Sequence, residues 1–436
     1  MPNLASRSLW LSLLFLVVAA GGCNKGPTLE CDEQYPCAAP KMCDLASNVC
    51  LPPSDGKVCG KDEDCTTAAN PFCAVEFNTC VPCTMEDSSG QCPSRRICKR
   101  NVCEACQDDG DCDGKLCLPD TGGCALPADV AFVTATGMDN APCTDTMPCT
   151  LRAALATGRS YVRLRDALSV DAAVTINRSV SILGASDERT SVTRTTAGPI
   201  FDISGTGTVK LTNFELLGAT GTNGDAIKVS GGTPTLTLEA VDLIGNGGLG
   251  VSSGSAFLTI LKSLIVNNAG GGVAAASVVH LENNIIVGNG SATSGVSGVQ
   301  LASTATQNVV RFNTFANNVA SAGAAQALSC GGIAVTASSN IFAGTAPLVT
   351  GCTTRHSLFP AGTAVTGTND LAGDPLFASI ALPASRNPDR DAMTYYHLSD
   401  GSPAIDKGEA INEVKQDFDG GSRAAARDIG ADEYVP

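Results

Sequence analysis

Aromatic side chains are scarce in these 436 residues, with one Trp, five Tyr and thirteen Phe making up 4% of the chain. A groove lined by stacked aromatic rings is therefore not expected. Histidine is scarcer still: His280, His356 and His397 are the only three, too few for a His-rich metal centre. Positive charge is outnumbered, 28 Lys and Arg against 43 Asp and Glu, for a net charge of −15. A surface that tracks phosphates is excluded on that balance, and nucleic acid with it. What the chain has in quantity is glycine, 46 residues, and cysteine, 21 residues. Its length is that of two or three domains.

The N-terminus reads as an export signal. Arg7 precedes a short apolar run from Leu9 to Ala20, well under the roughly 20 residues that span a bilayer. The run ends in Ala20-Gly21-Gly22-Cys23, which resembles the lipobox of bacterial lipoproteins. That resemblance implies a signal peptide over 1–22, lipidation of Cys23 and a linker over 23–30. The next residue is Asn24 rather than Asp, which by the same resemblance sorts the protein to the outer membrane. The competing reading is an ordinary secretory signal, with Cys23 in a disulfide.

Sixteen cysteines between Cys31 and Cys124 fall into four sets of four, whose starts lie 28, 24 and 23 residues apart. Two pairs follow, Cys143 with Cys149 and Cys330 with Cys352, leaving Cys23 alone. An even count in an exported chain predicts disulfides. Zinc knuckles would show C-x2-C pairs within a repeat, whereas Cys80/Cys83 and Cys103/Cys106 straddle repeat boundaries. Modules of this size bury too little apolar surface to fold without cross-links. Each set of four allows three connectivities. The spacing resembles the small Cys-rich repeats of bacterial surface lipoproteins.

The repeats, 31–127, are also the acidic part of the chain: 17 acids against 9 bases lie between residues 24 and 127. Asp109, Asp111, Asp113 and Asp120, with Gly114, fit positions 1, 3, 5, 12 and 6 of an EF-hand-like loop, so Ca2+ is the one cofactor the sequence suggests. Cys112 and Cys117 inside the loop, and Pro119 before Asp120, favour a solvated acidic turn instead.

From residue 176 to 372 the chain repeats. A nine-residue unit reads LTNFELLGA from Leu211, LEAVDLIGN from Leu238, ILKSLIVNN from Ile260, LENNIIVGN from Leu281, VRFNTFANN from Val310 and TASSNIFAG from Thr336. An earlier copy is expected from Ile176. A second short unit recurs between copies, at Ile200, Ala226, Leu249, Gly272, Gly298 and Gly332. Two strands per period of 21 to 29 residues, with Gly/Asn turns between them, predict an all-β fold, a parallel β-helix. Positions 1 and 6 are nearly all apolar and form the expected stacked core, with Ile341 as the last position 6. Asn246, Asn268, Asn289 and Asn318 at position 9 are expected to take left-handed turns and to bond from coil to coil.

Both ends of such a solenoid need covers. Residues 128–175 supply the first, with a Cys143/Cys149 clasp, Thr150 as N-cap and a short helix Leu151 to Ala156. This resembles the N-terminal cap of pectin-lyase-fold proteins. In 373–436, Gly373-Asp374-Pro375-Leu376-Phe377, YHLSDGSPAIDKG from Tyr396 and QDFDGGSRAAARDIGADEY from Gln416 resemble the ending of the choice-of-anchor Q family of bacterial surface proteins. The resemblance covers about 130 to 436 and implies a pectin-lyase-like right-handed β-helix ended by a structural closing segment. Many members carry a sorting tail there; here the anchor expected is Cys23.

Catalytic signals are thin. Polygalacturonase-like motifs are missing from the coils. A calcium-dependent lyase needs stacked acids beside a base. The best set is Glu215 and Asp242 at position 5 of adjacent copies, Glu239 expected on the same face, and Lys210, Lys262 and Arg311 as bases. The plainer reading is a solvated strand face, with Glu282 and Arg311 as a surface ion pair. Gly250-Val251-Ser252-Ser253-Gly254 fits the hydrolase elbow pattern but has no helix after it. Asp417-Phe418-Asp419-Gly420 fits a calcium turn or a turn stabilised by its own Asp side chains. The expectation is a lipid-anchored outer-membrane protein whose β-helix serves adhesion or recognition of a polysaccharide or surface protein. A polysaccharide lyase or hydrolase is the alternative, and a purely structural envelope protein a third.

Overall fold

The computed structural model describes residues 42–44 and 49–51, and 59–435 apart from 77, 85–89, 113–114, 186–189, 222, 304–306, 332–334 and 381–394. The expected signal peptide, Cys23, Cys31 and Cys37 lie outside the described residues. The chain divides into two compact units, up to Ala105 and from Cys106 onward.

In the first unit each module is a small hairpin. Its third and fourth cysteines face each other across the two strands: Cys43 and Cys50, Cys73 and Cys80, Cys98 and Cys103. The bonds run first to third and second to fourth: Cys59–Cys73 and Cys65–Cys80, then Cys83–Cys98 and Cys92–Cys103. This selects one of the three connectivities. The cystines themselves form the buried clusters of these modules. Each loop of about 15 residues closed in this way contributes roughly 3 kcal/mol through the unfolded state.

The fourth module repeats the pattern, Cys106–Cys117 and Cys112–Cys124, but belongs to the second unit. Its Leu116 and Ala125 pack against Val130, Phe132 and Leu183 at the start of the β-helix. Asp109 pairs with Arg163, and Asp120 with Lys210.

The β-helix has three parallel sheets, of ten, ten and eight strands. Sheet 1 begins at Val130–Val133 and Tyr161–Leu164 and ends at Thr353–Arg355. Sheet 2 runs from Leu168–Val170 to Leu371–Ala372, and sheet 3 from Val174–Ile176 to Val349–Thr350. Three strands per coil replace the expected two because each nine-residue unit holds two strands. The bend falls at position 3, where Asn213, Ala240, Lys262, Asn283, Phe312 and Ser339 all have positive φ, between 49° and 60°. A single left-handed residue turns the chain from sheet 1 to sheet 2 without a loop. A second bend falls at position 8, on Gly218, Gly245, Asn267, Gly288 and Asn317. Position 8, not the Asn at position 9, carries the left-handed conformation.

Register corrects two alignments. Ile182, not Ile176, pairs with Leu211, and Ile176 stands in sheet 3. Ala337 pairs with Val310, which places Phe342 in the core and Ile341 on the opposite face, since a one-residue slip reverses every side chain in a strand. Leu328 continues the row of Val273 and Val299 in sheet 3, ahead of the copy expected at Gly332, which lies outside the described residues.

The core is a stack of rows one residue wide. Leu211, Leu238, Ile260, Leu281 and Val310 fill it from sheet 1, and Leu216, Leu243, Ile265, Ile286, Phe315 and Phe342 from sheet 2. Each such side chain contributes about 1.5–3 kcal/mol. Towards the end the row becomes aromatic, with Phe315 on Phe342 at 5.3 Å and Phe342 on Phe359 at 5.1 Å between centroids. The first coil is plugged by the helix Leu151–Ala156, whose Leu151 and Ala154 join the core and whose N-cap Thr150 accepts from Ala153 N. Cys143–Cys149 ties the segment before that helix, and Cys330–Cys352 joins neighbouring coils.

The C-terminal segment runs as a strap along the outer face of sheet 2. There Leu264, Val266, Ile285 and Val287 point outward yet are at most 1% exposed, packed with Tyr396, Phe418 and Ala431. Ile341 and Leu358 pack likewise with Leu398, Ala404 and Ile429. Arg423 fastens the strap: its guanidinium lies 4.5 Å over the Phe312 ring, pairs with Glu433 at 3.0 Å and donates to Asn283 Oδ1 at 2.8 Å. An apolar sheet face needs a second layer, and the strap supplies it.

Candidate functional site

Sheet 1 and its bend carry a line of charges on the outer surface, the most concentrated chemistry of the open coils. Lys210 Nζ lies 3.2 Å from Glu239 Oε2, and Lys262 Nζ 3.3 Å from Glu239 Oε1. Lys210 also meets Asp120 of the fourth module, and Lys262 donates to Gln416 Oε1 of the strap at 3.1 Å. Two coils further on, Glu282 Oε2 accepts from Arg311 Nε at 2.6 Å and faces His280 Nε2 at 3.0 Å. Glu282 and Arg311 are partners in the strand register. Arg355 and Glu409 add a pair at 2.9 Å.

These groups fix one another's charge. Burial by itself would raise the Glu239 carboxyl and lower the Lys210 ammonium. The two lysines outweigh burial at Glu239, whose pKa is lowered, and Asp120 and Glu239 outweigh it at Lys210, whose pKa is raised. Glu282 is lowered in the same way, with His280 and Arg311 overcoming burial. Glu239 and Glu282 are therefore held as carboxylates, and Lys210 as an ammonium, by their neighbours on the line.

Glu215 and Asp242 stand apart from it. They are register partners on the outer face of sheet 2 and are 3% and 0% exposed, so the solvated-face reading is corrected. Asp242 Oδ1 accepts from Leu264 N at 3.2 Å. Glu239 does not share their face. It ends a strand of sheet 1, on the far side of the Ala240 bend. Lys210 and Arg311 are likewise sheet 1 residues, so the proposed acid–base set divides between two sheets.

The three described EF-like carboxylates turn to different partners. Asp109 meets Arg163 and accepts from Cys117 N at 3.0 Å, Asp111 accepts from Gln107 N at 2.7 Å, and Asp120 meets Lys210. Asp113 lies outside the described residues. Cys112 and Cys117 within the loop are each disulfide-bonded. Ser252 of the elbow-like motif lies in a sheet 3 strand and His280 in sheet 1. Asp417 Oδ1 accepts from Asp419 N at 3.1 Å, which stabilises its own turn.

The Asn ladder runs through the bend after sheet 2. Asn246 Nδ2 donates to Asn268 Oδ1 at 2.8 Å, Asn268 Nδ2 to Asn289 Oδ1 at 2.9 Å and Asn289 Nδ2 to Asn318 Oδ1 at 3.0 Å. A second ladder follows position 4, through Ser263, Asn284, Asn313, Asn340, Ser357 and Asp370. Sequence reading missed it because earlier copies have Phe214 and Val241 there. Asn284 and Asn313 at position 4 of two consecutive copies were the available signal, and Asn340 joins them only in the corrected register.

Residues 200–370 match the family model for a right handed beta helix region. No curated protein matches the chain. A solved structure described as that of pectate lyase Pel9A is similar over 70% of this chain and 96% of its own, at 14% identity and a TM-score of 0.39. A likeness that loose bears on neither substrate nor activity.

Proposed function

We propose that the protein is an exported, lipid-anchored outer-membrane protein of the choice-of-anchor Q type, whose pectin-lyase-like β-helix recognises a polysaccharide or surface protein without cutting it. The observation that carries this reading is the ion-pair line on sheet 1. A lyase base must lose its proton near neutral pH, so a catalytic lysine needs a depressed pKa, and that of Lys210 is raised. A glycosidase acid needs a raised carboxyl beside a second carboxylate, whereas Glu239 and Glu282 are lowered. The adjacent carboxylates, Glu215 and Asp242, are buried.

Export is supported by Arg7, the short apolar run and Ala20-Gly21-Gly22-Cys23, and by cystines that persist in oxidising compartments. The strap occupies the outer face of sheet 2, so the recognition surface is assigned to sheets 1 and 3. Their outward rows are mostly polar: Lys210, Thr237, Thr259 and His280 on one, and Asp202, Lys228, Ser252, Ala274 and Gln300 on the other.

The test is retention of the full, disulfide-bonded chain on a panel of polysaccharides and cell-surface fractions, beside Thr259→Arg and Ser252→Arg. Retention of the parent, with a tenfold loss in one variant, supports recognition and names the face. Retention of nothing on the panel overturns it in favour of a structural envelope protein.

A further inference from the structure

We infer that His397, Asp419 and Asp432 form a binding site for a divalent transition-metal cation of the zinc type. The three come from separate stretches of the strap: the segment after Tyr395 and Tyr396, the tip of the Asp417–Gly420 turn, and the Ile429–Glu433 tail. His397 Nε2 lies 3.2 Å from Asp419 Oδ2, and Nδ1 lies 3.7 Å from Asp432 Oδ1. One ligand atom from each residue lies within 4.8 Å of the other two.

The orientation matters more than the distances. His397 Nε2 is buried and makes no hydrogen bond, although a carboxylate oxygen is 3.2 Å away. Nε2 and Asp419 Oδ2, that close yet not aimed at one another, suit a pair converging on a third point, and Asp432, whose 3.7 Å contact is with the other ring nitrogen, joins them through the 4.8 Å clustering of the three residues. A metal about 2.0–2.2 Å from each ligand places neighbouring ligands roughly 3.0–3.6 Å apart. The surroundings also hold the ligands in place. Asp432 Oδ2 accepts from Leu398 N at 2.8 Å, and the Phe418 ring stands edge-on to the imidazole at 6.5 Å.

One imidazole and two carboxylates suit zinc or manganese, whereas calcium takes six to eight oxygens. The other groups of three potential ligands among the described residues are cysteines already joined in disulfides. A cation here would tie the beginning, turn and tail of the strap at one point, closing it over sheet 2.

The experiment uses the full chain with disulfides intact, stripped with EDTA, dialysed and titrated with Zn2+, Mn2+ and Ca2+. Bound metal and Tm are both read. The expected result is one Zn2+ per chain, held at least tenfold more tightly than Ca2+, with Tm raised by several degrees. His397→Gln and Asp419→Asn should each weaken zinc at least tenfold, while a His280→Gln/His356→Gln double variant keeps it. Less than one zinc per parent chain overturns the inference and leaves His397 as an ion-pair partner of the two carboxylates. Unchanged zinc in both single variants overturns it as well. The parent stoichiometry decides even where a variant fails to fold.

Discussion

At the residue scale, the fold is held by side chains that repeat a bond from coil to coil. Asn268 is fully buried. Its Oδ1 accepts from Asn246 N and Nδ2, and its Nδ2 donates to Leu243 O and Asn289 Oδ1. Asn268→Ala would strand two donors and a carbonyl, each costing about 1–3 kcal/mol, so urea unfolding should show a loss of about 3 kcal/mol. A loss under about 0.5 kcal/mol, the range of ordinary surface substitutions, would mean the ladder contributes nothing. Asp428 offers a second check. Burial drives its pKa up to about 6, partly offset by bonds from Asp406 N and Tyr434 N. The native carboxyl then holds its proton more tightly than the unfolded chain does, so stability relative to an untitratable side chain is greatest at low pH and falls as pH rises through 6. The Tm difference between the parent and Asp428→Asn should move in the parent's favour from pH 7 to pH 4.5, and parallel curves would refute the assignment. The position 9 ladder was legible because four copies share one residue type. The position of Ile341 was not, because TASSNIFAG fits the repeat almost equally well one residue out of step.

At the scale of elements, the three sheets differ in what covers them. In sheets 1 and 3 polar residues alternate with core residues, as in Thr235–Glu239 and Ile227–Val229. Sheet 2 has unbroken apolar strands, Leu264–Val266 and Ile285–Val287, buried at every position. Such runs mark a strand buried on both faces, and the second face belongs to the strap. The repeat assigns only Ile265 and Ile286 of these runs to the core, although the unbroken apolar runs are visible in the sequence. The strap's motifs were legible as a segment, but its course along sheet 2 depends on contacts such as Arg423 with Asn283, 140 residues apart. Arg423→Ala leaves Glu433 buried without its partner and empties the space over Phe312. Removing one member of a buried pair costs about 3–5 kcal/mol. Limited proteolysis should then cut the variant first within residues 395–435, and a cleavage pattern like the parent's would count against the strap's dependence on Arg423.

At the scale of the whole molecule, cystine modules and a stacked β-helix solve the same difficulty by different means. Each module is too small for an apolar core and is cross-linked. Each coil is too small as well and borrows its neighbours. The sequence made both legible, since cysteine spacing and coil period survive without an alignment. It could not show which acids would be buried and which paired, because Glu239 and Asp242 stand only three residues apart on opposite sides of the Ala240 bend. The most direct measurement is incubation of the full, disulfide-bonded chain with acidic polysaccharides, with and without Ca2+, assayed for unsaturated uronates and new reducing ends. No product above a heat-denatured control is expected, and Lys210→Ala should change nothing. Product that forms with the parent and disappears in Lys210→Ala would contradict a non-catalytic β-helix and make sheet 1 an active site.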